Sequence, residues 1–263
     1  MPSSPDAQMT DLVLAADADS VRVLTLNRPR QLNAFNQALC GALTAAMRSA
    51  AADDSVHVVV LTGAGRAFSA GTDLYELADS GDFRGSADEP LRFERMIDEL
   101  AAFPKPLVCA VNGIGVGIGA TLLGLADLVF MAESARLKCP FSSLALVPEA
   151  ASSVTFPLLL GRQNAAWLLM SAEWVDAVEA YAMGLAWKVV PDTDVLSVAL
   201  DHARRLAIHP LSSLTASKRL IASTSAAAIS DGRARENVAF DALLHTRESR
   251  AGIAAFATRR PST

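Results

Sequence analysis

Two runs of β-branched and apolar residues, VHVVVLT (56–62) and LVCAV (107–111), each pass directly into a glycine-rich loop. Runs this uniformly apolar read as strands buried on both faces, which requires a sheet covered by other elements. A third such run, LVFM, occupies 128–131. Between them lie helical patterns. Residues 36–52 are alanine-rich with Leu39, Leu43, Ala46 and Met47 at helical spacing, and 92–103 read as a helix stopped by Pro104. Strands alternating with helices give βα units, largely parallel pairing and an α/β fold. A spiral of stacked βα turns and a doubly wound sheet both satisfy this pattern.

Ahead of this region, VRVLTLN (21–27) alternates as a half-buried strand does and is closed by Arg28-Pro29. Residues 78–90 are rich in Ser, Gly, Asp and Pro, the composition of a mobile connection. From about Val195 the pattern turns wholly helical, so 1–195 are expected to form the core and 196–263 a helical C-terminal region.

Charge and cysteine content narrow the function classes. With 23 basic and 28 acidic residues, net charge −5, the chain lacks the basic face that nucleic-acid binding needs. Three cysteines, Cys40, Cys109 and Cys139, stand far apart and form neither a disulfide framework nor a zinc spacing. The four histidines form no close pair, so no metal is expected. No run reaches the length of a membrane span, the first eleven residues lack a basic n-region, and RRPST is not a peroxisomal address. The expected setting is a reducing cytoplasm.

The glycine loops carry the first chemical signal. In GAGRAFSAGTD (63–73) small residues let a ligand approach the backbone, and Ala70 and Gly71 would leave N–H groups exposed. The second loop, NGIGVGIGA (112–120), leaves the next core strand in the same manner. Two such loops on neighbouring strands can bring two N–H groups to one oxygen, as a developing oxyanion or enolate requires. A dinucleotide fingerprint is the alternative, since Gly115, Gly117 and Ala120 fit a degraded G-x-G-x-x-G/A and Glu133 could stand for the ribose-binding acid. Against it, glycines recur every second residue from Gly113 to Gly119, and no full crossover helix follows. Close strand packing is a third use for the same glycines.

The second signal is Glu149, the one acid between residues 137 and 157. A carboxylate among apolar and small residues is poorly solvated, and its pKa should rise toward a value suited to proton transfer. The competing role is an N-cap for a helix entered around Ser152. Asp73 reads as a helix cap rather than a catalyst.

At this point the segments NRPRQLNAF (27–35), LTGAGRAFSAGTDL (61–74), AVNGIGVGIGATLLGLAD (110–127), PFSSLALVPEAASSVTFP (140–157) and AGIAAFATRR (251–260) together resemble the crotonase, or enoyl-CoA hydratase/isomerase, superfamily. The resemblance implies a crotonase-like spiral of ββα turns (1–195) holding an acyl-CoA site, and a helical trimerisation region (196–263). It also implies acyl-CoA thioesters as ligands, no separate cofactor because coenzyme A is part of the substrate, and a homotrimer or hexamer.

Carried over by position, the resemblance puts oxyanion donors at the backbone N–H groups of Ala70 and Ile118, with Ile118 standing where glycine is common. Ser69, Gly71, Thr72, Asp73, Leu74 and Gly117 would line the thioester. Arg28, Arg30, Leu32 and Ala34 would lie by the adenine and phosphates, and Phe256 and Arg259 would reach a neighbouring subunit's ligand. The two hydratase glutamates fall on Thr121 and Phe141, neither of which can move a proton at neutral pH. Glu149 matches instead the single acid of the peroxisomal-type Δ3,Δ2-enoyl-CoA isomerases, although Ala150 replaces their usual glycine. Isomerisation through a thioester enolate is the implied activity. Hydratase-type or other crotonase chemistry, and non-catalytic acyl-CoA binding, are the alternatives.

Overall fold

The computed structural model describes residues 12–73 and 92–257, with side chains given to residue 255. The apolar runs are strands of one six-stranded sheet in the order β1-β2-β3-β5-β7-β10. Its middle strands are β3 (Val58–Gly63), β5 (Leu107–Val111) and β7 (Leu128–Ala132). They pair in parallel, and every residue of β3 and β5 is buried. β2 (Val21–Leu26) pairs parallel with β3, and β10 (Lys188–Val190) closes the far edge. Sequence reading missed β1 (Val13–Ala18), which pairs antiparallel with β2 and, beyond Val13, lies exposed.

Also missed is a second sheet of four three-residue strands: β4 (Ala67–Ser69), β6 (Ile114–Val116), β8 (Arg136–Lys138) and β9 (Trp174–Asp176). Each long strand hands the chain to a short one, β3 to β4, β5 to β6 and β7 to β8, so the chain winds as a spiral. This arrangement decides between the two architectures open to the sequence, and removes the dinucleotide reading. The loop after β5 enters a second sheet and then a four-residue helix, α3 (Ile118–Thr121), not a crossover helix.

α1 (Gln37–Ala52), capped by Asn36 accepting from Leu39 N, packs on the large sheet, and α2 (Arg92–Ala101) packs on α1. α4 (Ser152–Met170) is kinked at Gly161, where φ is 74°, and α5 (Ala177–Met183) carries a capping box between Asp176 and Glu179. The C-terminal helices are α6 (Val195–Ala207), α7 (Leu211–Ser223), α8 (Ala226–Leu244) and α9 (Arg247–Ala257). The first of them belongs to the core, since Val195, Ala199, Ala203 and Ala207 join the main apolar cluster. Asp127 ties α7 to the large sheet, its carboxylate accepting from Leu107 N and from Lys218 Nζ, both at 2.7 Å. Among the described residues, no helix is long and apolar enough to cross a membrane.

Candidate active site

The two glycine loops meet. β4 ends at Ser69 and β6 at Val116, and the strands pair in parallel, so the residues beyond them emerge side by side. A methyl group placed on Gly71 would stand 2.7 Å from Val116 O, and Gly71 itself has φ of 90°. No side chain could occupy that contact. A methyl group on Gly117 would lie 4.0 Å from Gly71 Cα and 3.8 Å from Glu149 Oε1. Glu149 therefore faces the junction of the two loops, although it is more than thirty residues away in sequence.

Glu149 does not cap the following helix. Its carbonyl accepts from Ser152 N and Oγ at 3.1 and 2.6 Å, but among the described residues no cap bond reaches its side chain, and the N-cap residue of α4 is Ala151. The carboxyl is driven up from its ordinary value of 4.5 to about 8, first by burial and then by the negative charges of Glu236 and Glu94. Part of the residue remains accessible, as a site open to a ligand requires.

The assignment of a donor to Ala70 is corrected by the structure. Its N–H points inward and donates to Leu32 O at 2.8 Å, so it is spent on holding the loop at Leu32. Gly71 N donates to Ser69 Oγ at 3.2 Å. The positive φ of Gly71 then turns the next peptide, and Thr72 makes a single parallel bridge with Phe35 through its neighbours: Phe35 N donates to Gly71 O and Asp73 N to Phe35 O. Thr72 N has no partner among the described residues. The same holds for Ile118 N, the first helical N–H of α3, which lies beyond the reach of intrahelical bonds. Two N–H groups with no partner among the described residues thus flank the adjacent pair Gly71 and Gly117.

Arg28 is already engaged within the chain. Rather than a free cation awaiting phosphate, its guanidinium donates to Ala34 O and to Asp73 Oδ2, the latter at 3.0 Å, with both side chains largely buried. Asp73 is accordingly a structural anchor for Arg28. Asn33, whose backbone the resemblance puts with Leu32 and Ala34 near the adenine and phosphates, completes the fastening through its side chain: fully buried, it accepts from Arg28 N and donates to Ala64 O and Ala67 O. Leu32 and Asn33 both adopt left-handed backbone, φ 50° and 56°. Ser69 is buried and donates to Asn33 O at 2.8 Å. Arg30 is exposed. Leu74, Arg259, the side chain of Phe256 and the connection at 78–90 lie outside the described residues.

Removing one partner of a largely buried ion pair leaves the other uncompensated, which costs about 3–5 kcal/mol. Arg28→Ala should therefore lower unfolding stability by about that amount, measured by denaturant titration. Unchanged stability would show the pair to be dispensable to the fold.

Thr121 and Phe141 are both buried, and Thr121 Oγ1 donates to Gly117 O at 3.3 Å. Neither supplies a proton-transfer group to the junction. Among the described residues, no cluster of three or more His, Cys, Asp and Glu side chains could hold a metal ion.

Comparison with known proteins agrees with this geometry. The profile of the family described as enoyl-CoA hydratase/isomerase matches residues 16–263. The 1,2-epoxyphenylacetyl-CoA isomerase of Escherichia coli is 36% identical over 81% of this chain and 82% of its own. Enoyl-CoA delta isomerase 2 of Rattus norvegicus is 33% identical over 97% of this chain and 66% of its own. The solved structure of an enoyl-CoA hydratase from Mycobacterium marinum superposes with a TM-score of 0.76 at 54% identity, covering 81% of this chain and 99% of that one. A spiral of paired strands, glycine loops meeting under one partly buried acid, and a profile match along nearly the whole chain leave one conclusion: the protein belongs to the enoyl-CoA hydratase/isomerase family, with the crotonase fold.

Proposed function

We propose that this acyl-CoA-processing enzyme is a Δ3,Δ2-enoyl-CoA isomerase with Glu149 as its base. The observation that carries the reading is a single raised carboxyl facing the Gly71–Gly117 junction, with Thr121 and Phe141 where hydratases place their glutamates. One carboxylate suffices for a 1,3-proton shift. Ionised Glu149 removes a C2 proton, the electrons move onto the thioester oxygen, and the N–H groups of Thr72 and Ile118 stabilise that enolate. The same carboxyl returns the proton to C4, and the double bond ends between C2 and C3. A positioned base contributes roughly 10²–10⁴ in rate and one oxyanion donor roughly 10²–10³, so neither alone suffices. The proton and the electrons are all conserved within the substrate and Glu149, and no cofactor is needed.

Hydration of a 2-enoyl-CoA is the second reading, favoured by the 54% identity to a protein named as a hydratase. The deciding assay follows ultraviolet absorbance with a 3-enoyl-CoA and, separately, a 2-enoyl-CoA in water. Appearance of the conjugated thioester from the first supports the isomerase. Loss of the conjugated thioester from the second, with the 3-enoyl-CoA untouched, would replace it with the hydratase.

The same reading extends to assembly as a homotrimer or hexamer. Leu158, Leu159, Trp167 and Met170 on α4, then Trp174 and Tyr181, are exposed large apolar side chains. Their concentration in consecutive elements suits a buried face better than a wet one. Sedimentation equilibrium should return about three or six times the 27.6 kDa chain mass. A monomer at micromolar concentration would overturn this.

A further inference from the structure

Helix α4, which opens just after Glu149, cannot cap itself. The first N–H groups of a helix need acceptors from outside it. At this start the N-cap position is Ala151, with φ of 61° and no side-chain oxygen to offer. Ala150 before it is also left-handed, φ 59°. Two successive alanines in that region are strained, by roughly 1–2 kcal/mol each. Something must hold them there.

The holder comes from α8. Glu236, 6% exposed, accepts from Ala151 N at 2.7 Å and from Ser153 N at 2.8 Å, one carboxylate oxygen to each. The helices come this close because Gly232, one turn earlier on α8, has no side chain: a methyl group there would lie 2.4 Å from Val154 Cγ2. α8 is tied down on its other flank as well. Arg233 pairs with Glu94, at 2.6 Å, and with Asp98 of α2, and Asn237 donates to Glu94 at 3.0 Å.

Capping alone does not call for this arrangement. A serine or asparagine at 151 would satisfy an N–H group locally and without charge. A buried carboxylate set beside a second carboxyl is electrostatically unfavourable, and its negative charge bears on Glu149. The arrangement has a consequence that a local cap would lack.

We propose that Glu236 is a positioning residue for Glu149, gripping Ala151 N and Ser153 N so that the left-handed turn at Ala150 and Ala151, directly after Glu149, aims the Glu149 carboxyl at the Gly71–Gly117 junction. The proposal rests on the reading of Glu149 as the base. The titratable groups coupled to that carboxyl are Glu236 from α8, Glu94 from α2 and the buried thiol of Cys139, with Arg233 of α8 pairing with Glu94 and with Asp98 of α2. Of the two carboxylates that act on Glu149, Glu236 acts more strongly than Glu94, which Arg233 pairs with directly.

The test uses the full-length enzyme with its glutamates carbon-13-labelled at the carboxyl, the Glu149 signal being the one lost in Glu149→Gln. In Glu236→Gln the amide oxygen still accepts one N–H, and the charge is gone. The Glu149 titration midpoint should fall by about one pH unit. Turnover should fall about tenfold, with KM within about twofold. A merely structural cap would move the melting temperature and leave that midpoint in place. Midpoint and turnover both at wild-type values would overturn the proposal. Should Glu149→Gln itself keep full activity, the base reading fails, while the midpoint still reports whether Glu236 governs Glu149. If Glu236→Gln does not fold, Glu236→Asp decides, because it keeps the charge on a side chain too short to grip both N–H groups. Reduced turnover at unchanged KM supports the proposal, and wild-type turnover overturns it.

Discussion

Glu149→Gln should lower conversion of a 3-enoyl-CoA by about 10²–10⁴-fold and at the same time make the protein more stable at neutral pH. The two effects have one cause. Burial holds the Glu149 carboxyl at about 8 against an ordinary 4.5, so between those values the folded chain keeps a proton that the unfolded chain releases. Where the native state binds more protons, stability falls as pH rises. This group therefore contributes nothing unfavourable below about pH 4.5, and destabilises increasingly up to about pH 8. The slope is at most about 1.4 kcal/mol per pH unit for one proton. Glutamine fills the same space without titrating. Its melting temperature should match wild type near pH 5 and exceed it progressively toward pH 8. Wild-type kcat/KM should climb over the same window as the base ionises. Thermal melts across pH 5–9, beside the activity profile, check both. A wild type that gains stability relative to the variant as pH rises would refute the burial argument, and an active variant would refute the base.

Why some of this could be read from sequence and some could not follows from where the information lies. β3, β5 and β7 are uniformly apolar because both their faces are covered, so composition alone reveals them. The three-residue strands of the second sheet carry no period of their own; β4 and β8 exist because neighbouring strands offer them partners. Glu149 stood out as one acid in an apolar stretch, a property of the chain. The Ala70 assignment failed because which N–H is free depends on dihedrals: Ala70 N is consumed by Leu32 O, while Thr72 N, just beyond the positive φ of Gly71, has no partner among the described residues. Arg28 looked like a surface cation because nothing in the sequence joins it to Asp73, forty-five residues on. Glu236 sits among polar neighbours on a helix whose apolar periodicity is weak. Only the contact of α8 with the start of α4 distinguishes it from a solvated acid.

Gly117→Ala should reduce turnover by about 10²–10³-fold while leaving the protein folded. The added methyl group meets no obstacle, since its nearest neighbours would be 3.8 and 4.0 Å away. The difficulty is the backbone. Gly117 has φ of 52° and ψ of −120°, a combination open to glycine and strained for alanine by about 1–3 kcal/mol. It is also held on both sides, its N–H donating to Lys138 O at 2.9 Å and its carbonyl accepting from Ala120 N and Thr121 N. Relieving the strain means rotating the peptide between residues 117 and 118 and giving up the bonds to its carbonyl, and the N–H of that peptide is the Ile118 donor. A rotated donor no longer meets the enolate oxygen, and the transition state loses one of its two hydrogen bonds. KM should change little, because the thioester oxygen gains its charge only as the C2 proton leaves. Gly71→Ala is the contrasting case: its methyl group would stand 2.7 Å from Val116 O, so β4 and β6 would have to separate and folding itself should suffer. Stopped-flow turnover with circular dichroism on both variants separates the two outcomes. Wild-type turnover in Gly117→Ala, with the fold intact, would remove Ile118 N from the site and leave Glu149 to act without it.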